Sequence, residues 1–286
     1  MLKRKIDLHI HSNASDGIYP SRDLVDRAIK LKVKAFAIAD HDNVRGIKEA
    51  LDYSIGKDIE IIPAIEFTAD AQGLAKEIHI VGLFIDIENK YLKKAILSQE
   101  EERKRHINKI IKKLEKLGYN VSLEEAEKEA GNPIFGRPAI AKVILKKYPK
   151  FKDRKQVFDE LLGKDGKAFF ESNSLKIKSI IKVIHQAGGL AVLAHPGYTE
   201  QPKKVIEVFA KFGGDGVEVD SPYTVFGDKA QNLRDTLRKY AKENNLFVSG
   251  GTDFHEYQDD IDIGSFGVSE EEFHIIKERL KKWEKN

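Results

Sequence analysis

Seven short apolar runs, separated by segments of helical period, constrain the fold of this chain more than any other feature. They occupy residues 6–11, 35–40, 60–66, 77–85, 190–195, 216–220 and 246–251. Several are nearly unbroken, as in Ala35-Phe36-Ala37-Ile38-Ala39, the pattern of strands buried on both faces. The segments between them repeat their apolar residues every three or four positions. Pro20-Ser21-Arg22-Asp23 opens the first of these, with Ser21 expected as the helix cap. Others run over 43–54, 174–187, 202–212 and 228–244. Strand–helix alternation of this kind predicts parallel β/α packing, in a barrel or an open sheet.

One connection breaks the rhythm. Over 89–173 only helical patterns occur, at 98–117, 121–130, 137–148 and 153–162, punctuated by Gly118, Gly131-Asn132-Pro133, Pro149 and Gly163. A parallel crossover needs about a dozen residues. The stretch is therefore read as an all-helical subdomain, 89–173, inserted into a β/α body made of 1–88 and 174–286.

Composition narrows the chemistry. The 286 residues are 41% hydrophobic, enough for a sizeable core, and include no cysteine. Disulfide frameworks, thiolate zinc sites and a cysteine nucleophile are excluded. No apolar run approaches the roughly 18 residues of a membrane span. The basic start, Met1 to Asp7, is not followed by the apolar stretch of a signal peptide. A soluble, cytoplasmic protein with no membrane partner is expected. The net charge is only +3, but residues 90–155 hold 19 Lys/Arg against 9 Asp/Glu, leaving the remainder net acidic. A basic segment beside an acidic body suits cation binding in the body and an anionic substrate near the segment. Lysine-rich solvated helix faces would give the same count. The basic residues are spread over several helices rather than one groove-reading element, so specific duplex DNA is not an expected partner.

Six of the nine histidines sit in or just beyond the strand runs. Random placement would put roughly one or two there, taking such positions as about a tenth to a fifth of the chain, and the carboxyl ends of parallel strands converge on one mouth. His9 and His11 alternate on the first run and so share a face. His41 stands in Asp40-His41-Asp42, Glu66 in Ala64-Ile65-Glu66-Phe67, His79 in Glu77-Ile78-His79-Ile80, and His195 in Ala194-His195-Pro196. Asp253 and His255 follow the last run in Gly251-Thr252-Asp253-Phe254-His255, and Asp16 follows His11. Imidazole and carboxylate without thiolate suit Zn²⁺, Mn²⁺ or Fe²⁺. Nine ligands are too many for one ion and suffice for two or three, with Glu66 the candidate bridge. Such a cluster activates water and clamps a phosphoryl centre. Asp40 and Asp42 are read as orienters of His41 or as helix caps, and His106, His185 and His274 as ordinary helix residues. Glu218 and Asp220 either face the mouth or serve as salt-bridge and capping residues.

In order along the chain, Asp7-Leu8-His9-Ile10-His11-Ser12 with Asp16-Gly17, Asp40-His41-Asp42, the Glu66 segment, Ala194-His195-Pro196 and Gly251-Thr252-Asp253-Phe254-His255 resemble the motifs of the PHP family, named for polymerase and histidinol phosphatase. The resemblance implies a distorted seven-stranded (β/α) barrel with a trinuclear metal site that hydrolyses phosphoesters. It implies one ion on His9, His11, Glu66 and Asp253, a second on Glu66, His79 and His195, and a third on Asp16, His41 and His255. A water or hydroxide bridging the first pair would be the nucleophile, with Glu66, Asp253 and His255 the catalytic set.

The insert resembles that of the subgroup holding nucleoside 3′,5′-bisphosphate phosphatases, AMP phosphatases and a 5′-to-3′ trimming ribonuclease, through Gly136-Arg137-Pro138-Ala139-Ile140-Ala141 and Gly163-Lys164-Asp165-Gly166-Lys167-Ala168-Phe169. Pro138 suits a first helical turn, where free N–H groups and Arg137 can bind an anion. Two departures stand out: Ala139, where that subgroup often has histidine, and the lack of proline and tyrosine in the second motif. The expected substrate is a small phosphorylated molecule: a nucleoside 3′,5′-bisphosphate, a mononucleotide, or the 5′ end of a short single-stranded RNA. Histidinol phosphate or another sugar phosphate is the alternative substrate, and a non-catalytic metal-bearing module the alternative role.

Overall fold

The computed structural model describes residues 6–75, 78–131, 135–170, 174–257 and 261–283. Glu77, Asn132, Pro133 and the Met1–Lys5 start, all read above from sequence, lie outside them. By its contacts the chain divides into two compact units, Met1–Ala95 with Leu175–Asn286, and Ile96–Ser174.

The first unit is a seven-stranded sheet in the order β1 to β7: Ile6–Ile10, Ala35–Ile38, Glu60–Ala69, Ile78–Leu83, Leu190–Leu193, Gly216–Asp220 and Phe247–Gly250. Beyond β7 the chain continues along β1: Asp253 N–H donates to His9 O at 2.8 Å, and His11 N–H to Phe254 O at 2.9 Å. These bonds nearly close the sheet into a barrel. Helices α1 (Ser21–Lys30), α2 (Arg45–Ser54), α7 (Ile177–Gln186), α8 (Pro202–Lys211), α9 (Ala230–Glu243) and α10 (Glu270–Trp283) complete the unit.

The expected parallel β/α packing has one exception. β4 is antiparallel to both β3 and β5, while the other pairs are parallel. The reason is local: the described residues between β3 and β4, 70–75, form no helix, so the chain reverses and pairs back. The hairpin also lengthens β3 to Ala69, which places Glu66 inside a strand rather than at its end. A correction concerns α1. Ser21 is its first helical residue, and the Pro20 carbonyl begins the ladder with no side-chain cap.

Strand alternation sorts the core. Leu8, Ala37, Ala39, Ile62, Ala64, Val81, Val192 and Ala194 share one buried cluster. Ile10, Phe36 and Ile38 share another with Leu24, Val25 and Ala28 of α1 and Ile47 and Ala50 of α2. Helix α10, absent from the sequence reading, adds Phe273 and Ile276 to the first cluster, beside Ile6, Ala35, Leu190 and Phe247 at the strands' amino-terminal ends. That end is thus filled by apolar side chains. No described helix is long and apolar enough to cross a membrane.

The second unit is helical. It takes in most of α3 (Lys90–Lys116), then α4 (Leu123–Ala130), α5 (Arg137–Lys147), α6 (Arg154–Val157) and a wide π-turn at Phe158–Leu162. Ser122 and Glu125 form a reciprocal capping box on α4. Its own core contains Ile107, Ile110, Leu114, Ile140, Ile144, Phe151, Val157 and Leu161.

Gly267 marks the tightest approach in the barrel. Its φ is +144°, and a Cβ there would lie 1.9 Å from Ile6 O, just where Val268 N–H donates to that oxygen. Gly267→Ala should lose about 1–3 kcal/mol from combined strain and overlap. A thermal melt of the metal-free protein checks this, and an unshifted midpoint would contradict it.

Candidate metal centre

The β1 pleat sends His9 and His11 to the same side, both buried. Glu66 lies across from them on β3, its carboxylate completely buried. Oε2 of Glu66 is 3.4 Å from His9 Nε2, 3.4 Å from His11 Nε2 and 3.0 Å from His41 Nδ1. Oε1 is 3.2 Å from His79 Nδ1 and 3.1 Å from His195 Nε2. Five imidazoles thus surround one carboxylate. His79 reaches this rim from the amino end of β4 because β4 runs backwards.

The remaining residues complete the cluster. Asp253 Oδ1 lies 3.0 Å from His11 Nε2 and 3.5 Å from His9 Nε2. Asp16 Oδ1 lies 3.2 Å from His255 Nε2, and Asp16 Oδ2 is 3.7 Å from His41 Nε2. Three donor groups emerge: His9, His11, Glu66 and Asp253; His41, Glu66 and His79; and His11, Asp16, His41 and His255. His41 is common to two of them.

The donors suit divalent cations. Ligands held about 2.0–2.2 Å from one ion lie about 3.0–3.5 Å from each other, the spacing found here. His41 Nδ1 and Glu66 Oε2 are buried, yet neither has a hydrogen-bond partner among the described residues. Polar groups packed this closely away from water are costly unless a cation accepts their lone pairs or protons balance their charge.

Residues behind the cluster aim it. Glu218 Oε2 accepts from His9 Nδ1 at 3.0 Å and from His195 N–H at 3.2 Å. A carboxylate only accepts, so His9 carries its proton on Nδ1 and turns Nε2 to the cluster. The His255 Nδ1 proton goes to Asp253 O at 2.8 Å, leaving Nε2 to face Asp16. Asp40 accepts from Ser12 N–H, Ser12 Oγ and Ser15 Oγ, fixing the turn that carries Asp16. Asp42 Oδ1 accepts from Thr68 N–H. Asp7 is buried and receives the N–H of His9, the N–H and hydroxyl of Thr252, and the N–H of Gly264. It ties β1 to the chain beyond β7, and burial pushes its carboxyl up to about 6. His195 and Asp253 have φ of +27° and +52°, strained backbone that bends each side chain back over the mouth.

From sequence, facing the mouth, salt-bridging and capping are all open to Glu218; its buried position behind His9 and His195 is set by tertiary packing. The pairing of Asp7 with Thr252 had no local signal, since the partners are distant in sequence. His185 is structural, with Nε2 2.7 Å from Asp215 Oδ2. Arg137 opens α5 in the second unit. Its guanidinium donates to Leu162 O at 3.2 Å and lies over the rings of Phe158 and Phe169. Ala139 is buried in that unit's core.

The family profile of the PHP domain matches residues 7–249. The chain belongs to the PHP family. Similar proteins include a 5′-3′ exoribonuclease of Haemophilus influenzae, 34% identical over 89% of this chain and 91% of that one. A 3′,5′-nucleoside bisphosphate phosphatase of Chromobacterium violaceum is 28% identical over 87% of each. Among solved structures, an amidohydrolase of Chromobacterium violaceum with bound sulfate and no metal superposes with a TM-score of 0.81 and 27% identity, covering 98% of this chain and 96% of that one.

Without an ion, charge balance in the PHP site falls to protons. Burial opposes charge on His255, but the Asp16 hydrogen bond and the charges of Asp253 and Asp16 outweigh it and raise the imidazole to about 9. Burial likewise opposes charge on His9, yet Glu66, Glu218 and Asp253 hold it well above the usual histidine range. Burial works against the Glu66 carboxylate too, but His41, His9 and His79 keep it ionised well below its ordinary value. An entering cation must displace the imidazole protons. Apparent Mn²⁺ affinity should therefore strengthen as pH rises from 6 to 8, about tenfold per unit for each proton displaced. Calorimetric titration in buffers of differing ionisation enthalpy measures that release. A pH-independent affinity without proton release would contradict the charge balance.

Proposed function

We propose that this PHP chain is a metal-dependent phosphoesterase acting on phosphate esters of nucleotides: a nucleoside 3′,5′-bisphosphate, a mononucleotide, or a short RNA 5′ end. The observation that carries the reading is the buried Glu66 carboxylate facing five imidazoles, with Asp253 and Asp16 alongside. The names of the similar exoribonuclease and bisphosphate phosphatase support nucleotides as the substrate class.

The proposed ligands are His9, His11, Asp16, His41, Glu66, His79, His195, Asp253 and His255, holding two or three ions of Mn, Fe or Zn. Divalent ions there would act as Lewis acids on the phosphoryl group and lower the pKa of bound water. The protein's own contribution is orientation. Glu218 and the Asp253 carbonyl fix the tautomers of His9 and His255, so each imidazole offers Nε2 to the site. Glu66 offers both oxygens, one to the His79 and His195 side and one to the His9, His11 and His41 side, as a bridging ligand must. Asp253, half-buried at the mouth, is the proposed proton acceptor, and Asp16, His41 and His255 would hold the ion that takes the phosphate. Arg137 is the proposed substrate contact on the basic insert, 89–173, which would serve as a substrate-capping subdomain. The cytoplasm is the proposed location.

Manganese-loaded protein should release phosphate or mononucleotide from a panel of nucleotides, bisphosphates and short 5′-phosphorylated oligonucleotides. Chelation should abolish turnover, and activity surviving in thoroughly metal-stripped protein would refute the metal role. Histidinol phosphate at equal concentration should be the poorer substrate; the reverse order would favour a sugar-phosphate phosphatase.

Glu66→Gln should lose at least about a hundredfold in kcat, together with much of the bound metal by elemental analysis. Arg137→Ala should raise KM more than it lowers kcat. Unaltered KM and kcat would remove Arg137 from the substrate site.

A further inference from the structure

A cavity of about 300 Å³ opens beside the metal centre, lined by Ala75, Ile78, His79, Leu193, Ala194, His195, Tyr198, Thr199 and Glu200. One end is the metal end, because His79 and His195 are the imidazoles that face Glu66 Oε1. Ile78, Leu193 and Ala194 are buried apolar side chains. The lining also includes Tyr198, a large aromatic residue left 46% exposed. No step proposed above uses this ring.

Its position is built rather than incidental. Pro196–Tyr198 forms a 3₁₀ turn directly after His195, and Tyr198 N–H donates to His195 O at 3.2 Å. The Tyr198 ring packs 5.2 Å from the buried Tyr223 ring and 6.1 Å from that of Phe226. Gly197 permits this packing, since a Cβ there would stand 2.5 Å from the Tyr223 ring. Tyr223 also accepts the Gly197 N–H at 3.3 Å through its hydroxyl. The aromatic surface is therefore held in place before any ligand arrives, 6.0 Å from the His195 ring.

We propose that Tyr198 is the stacking platform for the nucleobase whose phosphate reacts at the metal centre. This rests on the phosphoesterase reading. The cavity is at the small end of the range for small-molecule sites, which suits a single nucleotide unit. An aromatic face next to a phosphate site is the arrangement that binds nucleic-acid bases without regard to sequence, because every base has a π-face. The cavity thus takes one terminal nucleotide of any base identity.

The test uses zinc-loaded protein and two readouts. The first is the fluorescence of 2-aminopurine riboside 5′-monophosphate, which stacking quenches, read by stopped flow before turnover. Quenching is expected with the wild type and with Tyr198→Phe, and its loss with Tyr198→Leu at equal zinc content. The second is the ratio of kcat/KM for a nucleoside monophosphate to that for ribose 5-phosphate. This should fall about five- to a hundredfold in Tyr198→Leu and recover in Tyr198→Phe. Absence of quenching in the wild type, or a Leu variant that keeps both the quenching and the ratio, overturns the base platform. If phosphate is still released from ribose 5-phosphate in that case, the phosphoesterase reading stands alone. If no phosphoester is cleaved, that reading fails, and the quenching by itself decides the platform.

Discussion

The site depends on a single buried carboxylate. Glu66 is withdrawn from water at the centre of the barrel mouth, where an isolated negative charge is prohibitively costly. Imidazoles from β1, the end of β2, β4 and the end of β5 offset that cost. Each depends on the same partner, so the strands bearing them must keep their register with β3. A one-residue slip would turn the imidazoles of that strand to the opposite face. The electrostatic requirement of the site and the geometric requirement of the sheet are one constraint.

The reversal of β4 follows naturally from it. A parallel strand would need a long crossover between β3 and β4, and the ligands on its carboxyl end would come late in the strand. The hairpin instead brings His79, second residue of β4, directly opposite Thr68 and near Glu66. The barrel is thereby distorted, and Glu66 can sit mid-strand with both faces of its carboxylate occupied. Asp7 answers the remaining problem, which is how β1 meets the far edge of the sheet. Its carboxylate collects N–H and O–H groups from His9, Thr252 and Gly264, so closure is fixed two residues from His9.

Much of this geometry was legible in the sequence because the strand donors follow a period of two or cluster at run ends. His9 and His11 could be assigned to one face from spacing alone, and the remaining donors from their place after apolar runs. The compact unit Ile96–Ser174 overlaps the stretch in which strand patterns stop. Other features had no local trace. A reversed strand looks like any other apolar run, and its direction is set by the length of the connection before it. Glu218 and Asp7 act through partners far away in sequence, and only the folded sheet shows which face of β6 or β1 they occupy. Ser21 illustrates the opposite error: its residue type fits a cap, but the Pro20 carbonyl already begins the helix and the serine is buried.

Strained backbone ties the fold to the chemistry. Most residues of the sheet sit in ordinary extended conformations, yet His195 and Asp253 lie at positive φ immediately past β5 and β7. A strand that simply continued would carry its next side chains away from the mouth. The left-handed step instead turns them inward, and Glu218 and the hydrogen bond from Asp253 N–H to His9 O hold that step in place. Such conformations cost about 1–3 kcal/mol each, and they persist because the surrounding bonds over-determine them. The same turn after His195 carries Tyr198, so the strain that aims a metal donor also sets the aromatic ring beside it. In the proposed reading, the sites for the phosphate and the base are thus linked through three residues of backbone.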